Sequence, residues 1–166
     1  ETMDIVRNHP YRLCELAGIA FRTADKLAMS MGIDPLSSER IDQALLYTLT
    51  DAETKGHLCL EKHAFLKECL KLLDTAGMTQ DMAASRAVRL IQEERLVTYG
   101  DSVFKAKTAS IEESLAYEIV RKMRGSVEEY PDLNDSISGE ERVLRFRLAP
   151  EQREAVKMGL TSKLCV

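Results

Sequence analysis

The sequence predicts a mostly α fold with one small β-hairpin. Three observations predict it: apolar residues recur every three or four positions along most of the chain, glycines punctuate those runs, and two β-prone segments flank Gly100-Asp101. The chain has 166 residues, 45% of them apolar, which is enough to bury a core in one domain or two small ones. No run approaches the roughly 18 apolar residues of a membrane span. The opening Glu1-Thr2-Met3-Asp4 has neither the basic flank nor the apolar stretch of a signal peptide. A cytoplasmic location with no membrane partner is the expectation. The first residue is Glu, and Leu164-Cys165-Val166 would suit the start of a buried strand, so both ends read as cuts from a longer protein.

From Ser38 to Lys55, the stripe Ile41, Leu45, Leu49 and Ala52 predicts a helix, with Ser38 as N-cap and Gly56 just past the end. His57-Leu-Cys-Leu60 is too short for a helix and predicts a brief strand. Glu61 to Leu73 is again helical, ending near Gly77. Asp81 can cap a third helix with Met82, Ala87, Val88 and Ile91 turned inward and Ser85, Arg86, Arg89 and Gln92 outward. Leu96 to Lys107 then holds the two β-prone runs of a hairpin. Helix, strand, helix, helix, hairpin is the order of a winged-helix domain, in which the third helix can enter the major groove and the hairpin is the wing. Arg86 and Arg89 would sit on the recognition helix, with Lys105 and Lys107 on the wing, as possible phosphate contacts. Winged helices also dock proteins, and both readings stand. Ile111 to Arg124 predicts a further helix with Leu115, Ile119, Val120 and Met123 buried.

The net charge of −4 is unevenly spread. Six acids and no Lys or Arg lie between Gly125 and Glu141; without them, 21 acids face 23 bases, so the remainder is slightly basic. The same stretch holds Pro131, Asn134, Ser136, Ser138 and Gly139, a composition expected of a linker or loop. Cys14, Cys59, Cys69 and Cys165 have no paired spacing, which fits a reducing compartment. His57, Cys59, His63 and Cys69 match no zinc spacing, and Cys69 falls on the apolar face of its helix, so no metal site is expected. His9, His57 and His63 have no nucleophile or carboxylate constellation beside them, which argues against an independent enzyme.

Leu13 to Leu27 reads as a short helix, a tight turn at Gly18 and a second helix opening near Arg22 or Thr23, with the small Ala24 packed against its partner. This is the pattern of a helix-hairpin-helix. A glycine turn lets backbone N–H groups approach a phosphate, and the following helix N-terminus adds free N–H groups and the positive end of its dipole. Gly18, Ile19 and Ala20 form the predicted backbone cradle, with Arg22, Thr23 and Lys26 as side-chain donors. Such contacts hold DNA without reading its sequence.

The string Asn8-His-Pro-Tyr-Arg-Leu13, followed by Leu16-Ala-Gly-Ile-Ala-Phe-Arg-Thr-Ala-Asp-Lys-Leu-Ala28 and Gly32-Ile-Asp34, resembles the N-terminal region of RecD-like DNA helicases, relatives of the exodeoxyribonuclease V alpha subunit. The family form is Asn-Pro-Tyr-x-Leu, then Gly-Ile-Gly-Phe-x-x-Ala-Asp. His9 is an insertion into that pattern, and Ala20 replaces its second glycine. Leu148-Ala-Pro-Glu-Gln-Arg-Glu-Ala-Val156 is similar to the opening of the family's motor domain, where the glutamine, here Gln152, contacts the adenine of ATP. No Gly-x-x-x-x-Gly-Lys-Ser/Thr occurs in the chain.

The resemblance implies an ATP- and magnesium-dependent 5′ to 3′ DNA helicase as the parent protein, with these residues as a non-catalytic accessory region. It implies DNA, single-stranded or at a junction, and the motor domain of the same chain as partners. The expected organisation is a helix-hairpin-helix at 1–36, a winged-helix-like helical domain at 37–124, an acidic linker at 125–147 and the truncated start of the motor domain at 148–166. The competing reading makes the same modules a protein-docking region with no direct DNA contact.

Overall fold

The computed structural model describes residues 9–16, 19–126 and 129–164, without the side chains of residues 15 and 16. It is mostly helical, with one small antiparallel sheet, and divides into two compact units, Glu1–Ser110 and Ile111–Val166.

The first unit begins with α1 (Arg12–Leu16) and α2 (Phe21–Ser30), the two helices expected around the hairpin. Next comes α3 (Ser38–Thr54), whose predicted stripe of Ile41, Leu45, Leu49 and Ala52 is buried. Its N-cap is Ser37, one residue before the expected Ser38. The two-residue β1 (Leu60–Glu61) precedes α4 (Lys62–Leu73), which turns Phe65, Cys69 and Leu73 into the core. Helix α5 (Gln80–Gln92) follows, then β2 (Leu96–Tyr99) and β3 (Ser102–Lys105). The sheet order is β1-β3-β2, antiparallel throughout, with Val103 opposite both Leu60 and Thr98. This is the winged-helix order expected. Gly100, at φ 58, opens the two-residue hairpin turn, a conformation in which a Cβ is unwelcome. The turn is tied back to the start of α4, because the Lys62 amide donates to Asp101 O at 2.9 Å and its ammonium to Gly100 O at 2.8 Å.

Three further expectations for this unit are corrected. The cap of α5 is Thr79, whose hydroxyl accepts from Met82 N at 3.2 Å, while Asp81 lies inside the first turn. The buried stripe of the helix is Ala83, Ala87 and Leu90, so Val88 points outward, where it is 54% exposed. Lys107 is not on the wing: β3 ends at Lys105 and the chain passes directly into α6 (Ala106–Arg124). The cap correction is testable. Thr79→Ala is expected to cost about 1 kcal/mol in urea unfolding, the usual value of a lost N-cap. Asp81→Ala removes only a charge from the first turn and should cost less than half as much; equal losses would return the cap to Asp81.

In the second unit, α7 (Leu133–Leu144) and α8 (Pro150–Thr161) accompany the rest of α6. The acidic stretch is therefore not all linker. Leu133 and Ile137, four residues apart, form an inward ridge, Ile137 is buried, and Asp135 lies in the first turn, where a helix favours negative charge. Helix α7 is pinned to α8 by Arg153, which reaches Glu141 Oε2 at 3.0 Å, Ser138 Oγ at 2.6 Å and Asn134 O at 2.8 Å. The predicted burial on α6 is also corrected: Leu115, Val120 and Met123 are 53%, 44% and 57% exposed. Ile119 alone of the four is half-buried. No helix among the described residues is long and apolar enough to cross a membrane.

Candidate nucleic-acid interface

The hairpin between α1 and α2 is held from behind by an apolar wedge. Tyr11 and Phe21 are fully buried and stack with ring centroids 5.8 Å apart, and Tyr47 of α3 lies 5.9 Å beyond Phe21. Ala24 and Ala28 complete the inner face of α2, so α2 turns Arg22, Thr23 and Lys26 to solvent. The expected small residue is Ala24, 1% exposed.

Gly18 lies outside the described residues. Ile19 N donates to Leu13 O at 3.4 Å, closing the turn onto α1. Ala20 is the N-cap of α2 at φ −59 and ψ 140, a conformation open to any L-residue, and it is exposed. The fold therefore does not need the family's glycine at this position; its methyl group faces solvent rather than the hairpin's interior. Alanine has no side-chain acceptor, so nothing caps the helix. Thr23 N and Ala24 N are satisfied by Ala20 O at 2.9 and 3.3 Å, while the N–H groups of Phe21 and Arg22 find no acceptor among the described residues. Arg22, Thr23 and Lys26 make no side-chain hydrogen bond or ion pair among those residues either. Open N–H groups, a helix dipole and two unpaired cations on one exposed face make this the candidate anion surface, since that chemistry favours negative charge.

The residue that sequence reasoning missed is Asp25, between these donors. It turns away from them, accepting from Tyr11 Oη at 2.6 Å, Arg40 Nε at 2.7 Å and Arg40 Nη2 at 2.9 Å. Arg40, 4% exposed, spends its remaining donors on Pro35 O, Thr75 Oγ1 and Leu73 O at 2.8–2.9 Å. Burial works to raise the Asp25 pKa, but the Arg40 and Tyr11 hydrogen bonds outweigh it and hold the carboxyl below its ordinary value. Burial first, and then the Asp25 carboxylate, push the Tyr11 hydroxyl well above its ordinary value. The acid of the Ala-Asp pair thus stays ionised while its charge is neutralised inward, away from the anion surface. The signal was present in the sequence as Tyr11 and Asp25 in the family string, but their shared partner Arg40 lies outside it.

The second predicted surface is different. Arg86 is bound in a two-pronged pair to Asp42, at 2.7 and 2.5 Å. Arg89 pairs with Glu93 at 3.0 Å, and Lys105 is held by Glu53 at 2.5 Å and Thr50 at 3.1 Å. Only Lys107, exposed on α6, makes no such bond among the described residues. The four residues form no common free cationic face. Gln152 is exposed on α8, where its Oε1 accepts from Ala149 N at 3.0 Å and caps the helix start. Cys69 is buried, its thiol pushed up to about 12 by desolvation, and acts as a core residue.

Residues 1–59, which span α1, α2 and α3, match the family model described as the HHH domain of the ATP-dependent RecD2 DNA helicase, and the N-terminal part of this chain is accordingly a helix-hairpin-helix region of the RecD-like kind.

Proposed function

We propose that the start of α2 grips the phosphate backbone of DNA without reading its sequence, as an accessory contact of an ATP-dependent 5′ to 3′ helicase acting in the cytoplasm. The observation that carries this reading is the uncapped N-terminus of α2, with Phe21 and Arg22 N–H groups open and Arg22, Thr23 and Lys26 unpaired around it. The match to a RecD2 helicase domain supports the same class of ligand. The winged-helix face is read as structural, because its cations at Arg86, Arg89 and Lys105 are already neutralised. ATP chemistry is assigned to the motor domain of the parent protein. In that protein Gln152 could still offer its amide N–H groups to an adenine, but these residues include no phosphate-binding loop and no step is ascribed to them.

Fluorescence anisotropy with labelled DNA tests the proposal. Binding is expected in the non-specific range, with Kd on the order of 10⁻⁴ to 10⁻⁶ M at physiological salt and a log-log salt slope of about −0.9 per duplex phosphate contacted. Arg22→Glu with Lys26→Glu should weaken binding and flatten that slope. Arg89→Glu with Lys107→Glu should do much less, and Ala20→Gly should bind at least as tightly as the parent chain. Equal losses from both charge-reversal pairs would remove the hairpin as the site. Binding absent at all salt concentrations would favour the docking reading.

A further inference from the structure

A groove of about 370 Å³ opens beside the start of α2, between α3 and α4, and Arg22 lines it. Its volume lies within the roughly 300–1,000 Å³ of small-molecule sites. Three residues with planar side chains, Arg22, Tyr47 and His57, are among those that line it. Leu60 and Leu72 supply apolar lining, and Lys55 and Lys71 supply cationic rim. The two carboxylates present, Asp51 and Glu68, are each engaged by a lysine, at 2.5 and 2.6 Å, which leaves Arg22 as the uncompensated charge.

We infer that this groove receives a nucleobase, so that the site takes an unstacked nucleotide of single-stranded DNA in preference to duplex. This rests on the phosphate reading above and extends it to the neighbouring base. Aromatic rings, imidazoles and guanidinium planes are the groups on which unpaired bases stack, and every base has a face to offer them. Tyr47 is the outermost ring of the Tyr11–Phe21–Tyr47 series, half-buried where the other two are fully buried, so its position is fixed by the core while part of it remains accessible. His57 is set at the groove by Gly56, at φ 87, and by its own amide, which donates to Ala52 O at 3.0 Å. Arg22 belongs to both surfaces: its N–H lies at the open helix start and its side chain lines the groove. A phosphate at the first and a base at the second would be adjacent parts of one nucleotide. Bases in a duplex are stacked and paired, and would have to be extruded before entering.

The test compares labelled oligothymidylate, an abasic strand of equal length and a duplex, titrated against the whole chain at low salt. Oligothymidylate is expected to bind roughly five- to a hundredfold more tightly than the abasic strand, the span given by one stacked base, and also more tightly than the duplex. Tyr47→Leu and His57→Ala should each shrink that ratio, and His57→Ala should leave abasic affinity and its salt slope unchanged; Tyr47→Phe, which keeps the ring, should preserve the ratio. If circular dichroism shows that Tyr47→Leu does not fold, the exposed His57 carries the decision. Equal affinity for oligothymidylate and the abasic strand, or a ratio untouched by the substitutions, would overturn the base site and leave the phosphate site standing. Failure of the phosphate reading looks different, since neither strand would then bind and both proposals would fall.

Discussion

Arg40→Ala is expected to destabilise the N-terminal unit by about 3–5 kcal/mol in urea unfolding, the cost of leaving one member of a buried ion pair without its partner. The guanidinium is 4% exposed and makes five hydrogen bonds to four residues. Its removal leaves the Asp25 carboxylate without its cation and with the Tyr11 hydroxyl alone, leaves the Leu73 carbonyl with the Thr75 hydroxyl alone, and takes a donor from the Pro35 carbonyl. Asp25→Ala should be comparably harmful, and the double variant should cost less than the two single losses combined, because each single change already abolishes the pair. Simple additivity would mean that the pair is not the unit of stability. The pH dependence follows from the same contacts. Asp25 has a lowered pKa in the folded state, so its contribution is complete above the unfolded value near 3.9 and is lost as pH falls through the folded value. Tyr11 has a raised pKa, so its contribution is complete below the unfolded value near 10 and is lost at higher pH. Asp25→Asn should lower stability at pH 7 yet flatten the acid limb; an acid limb as steep as that of the parent chain would show that other carboxylates set it.

Phe21→Ala is expected to cost a similar amount, about 3–5 kcal/mol, through the cavity it leaves between Tyr11 and Tyr47. Each kcal/mol lowers Tm by roughly 4–8 °C in a domain of about this size. Phe21 is also the first residue of α2, so the substitution loosens the element that carries the anion surface. Phe21→Leu keeps most of the volume and should recover more than half of the loss. A loss below about 1 kcal/mol for Phe21→Ala would mean that the hairpin is not packed against α3 as described.

The helices of the first unit were legible because each buries a stripe at helical spacing, and periodicity reports burial directly. Ile41, Leu45 and Leu49 on α3 and Phe65, Cys69 and Leu73 on α4 are examples. The β-hairpin was legible from two β-prone runs around Gly100-Asp101, where Gly100 takes a backbone angle that few other residues adopt. The electrostatic state of the charged residues was not legible. Whether Arg86 is free depends on Asp42, 44 positions away, and whether Lys105 is free depends on Glu53 on a different element. Composition also misled at Leu133–Leu144, where six nearby acids suggested a linker although a short apolar ridge and Arg153 suffice for a helix. On α6 the apolar spacing predicted burial that the described residues do not provide.

Arg40 bonds to α2 through Asp25, to the α2–α3 connection through Pro35, to the last residue of α4 at Leu73, and to the segment after it through Thr75. The consequence is mechanical. A pull applied at the head of α2 would pass along the helix to Asp25 and spread through one guanidinium into α3 and the end of α4. Under the proposed function, a strand drawn past this unit would work against a braced post rather than a tether.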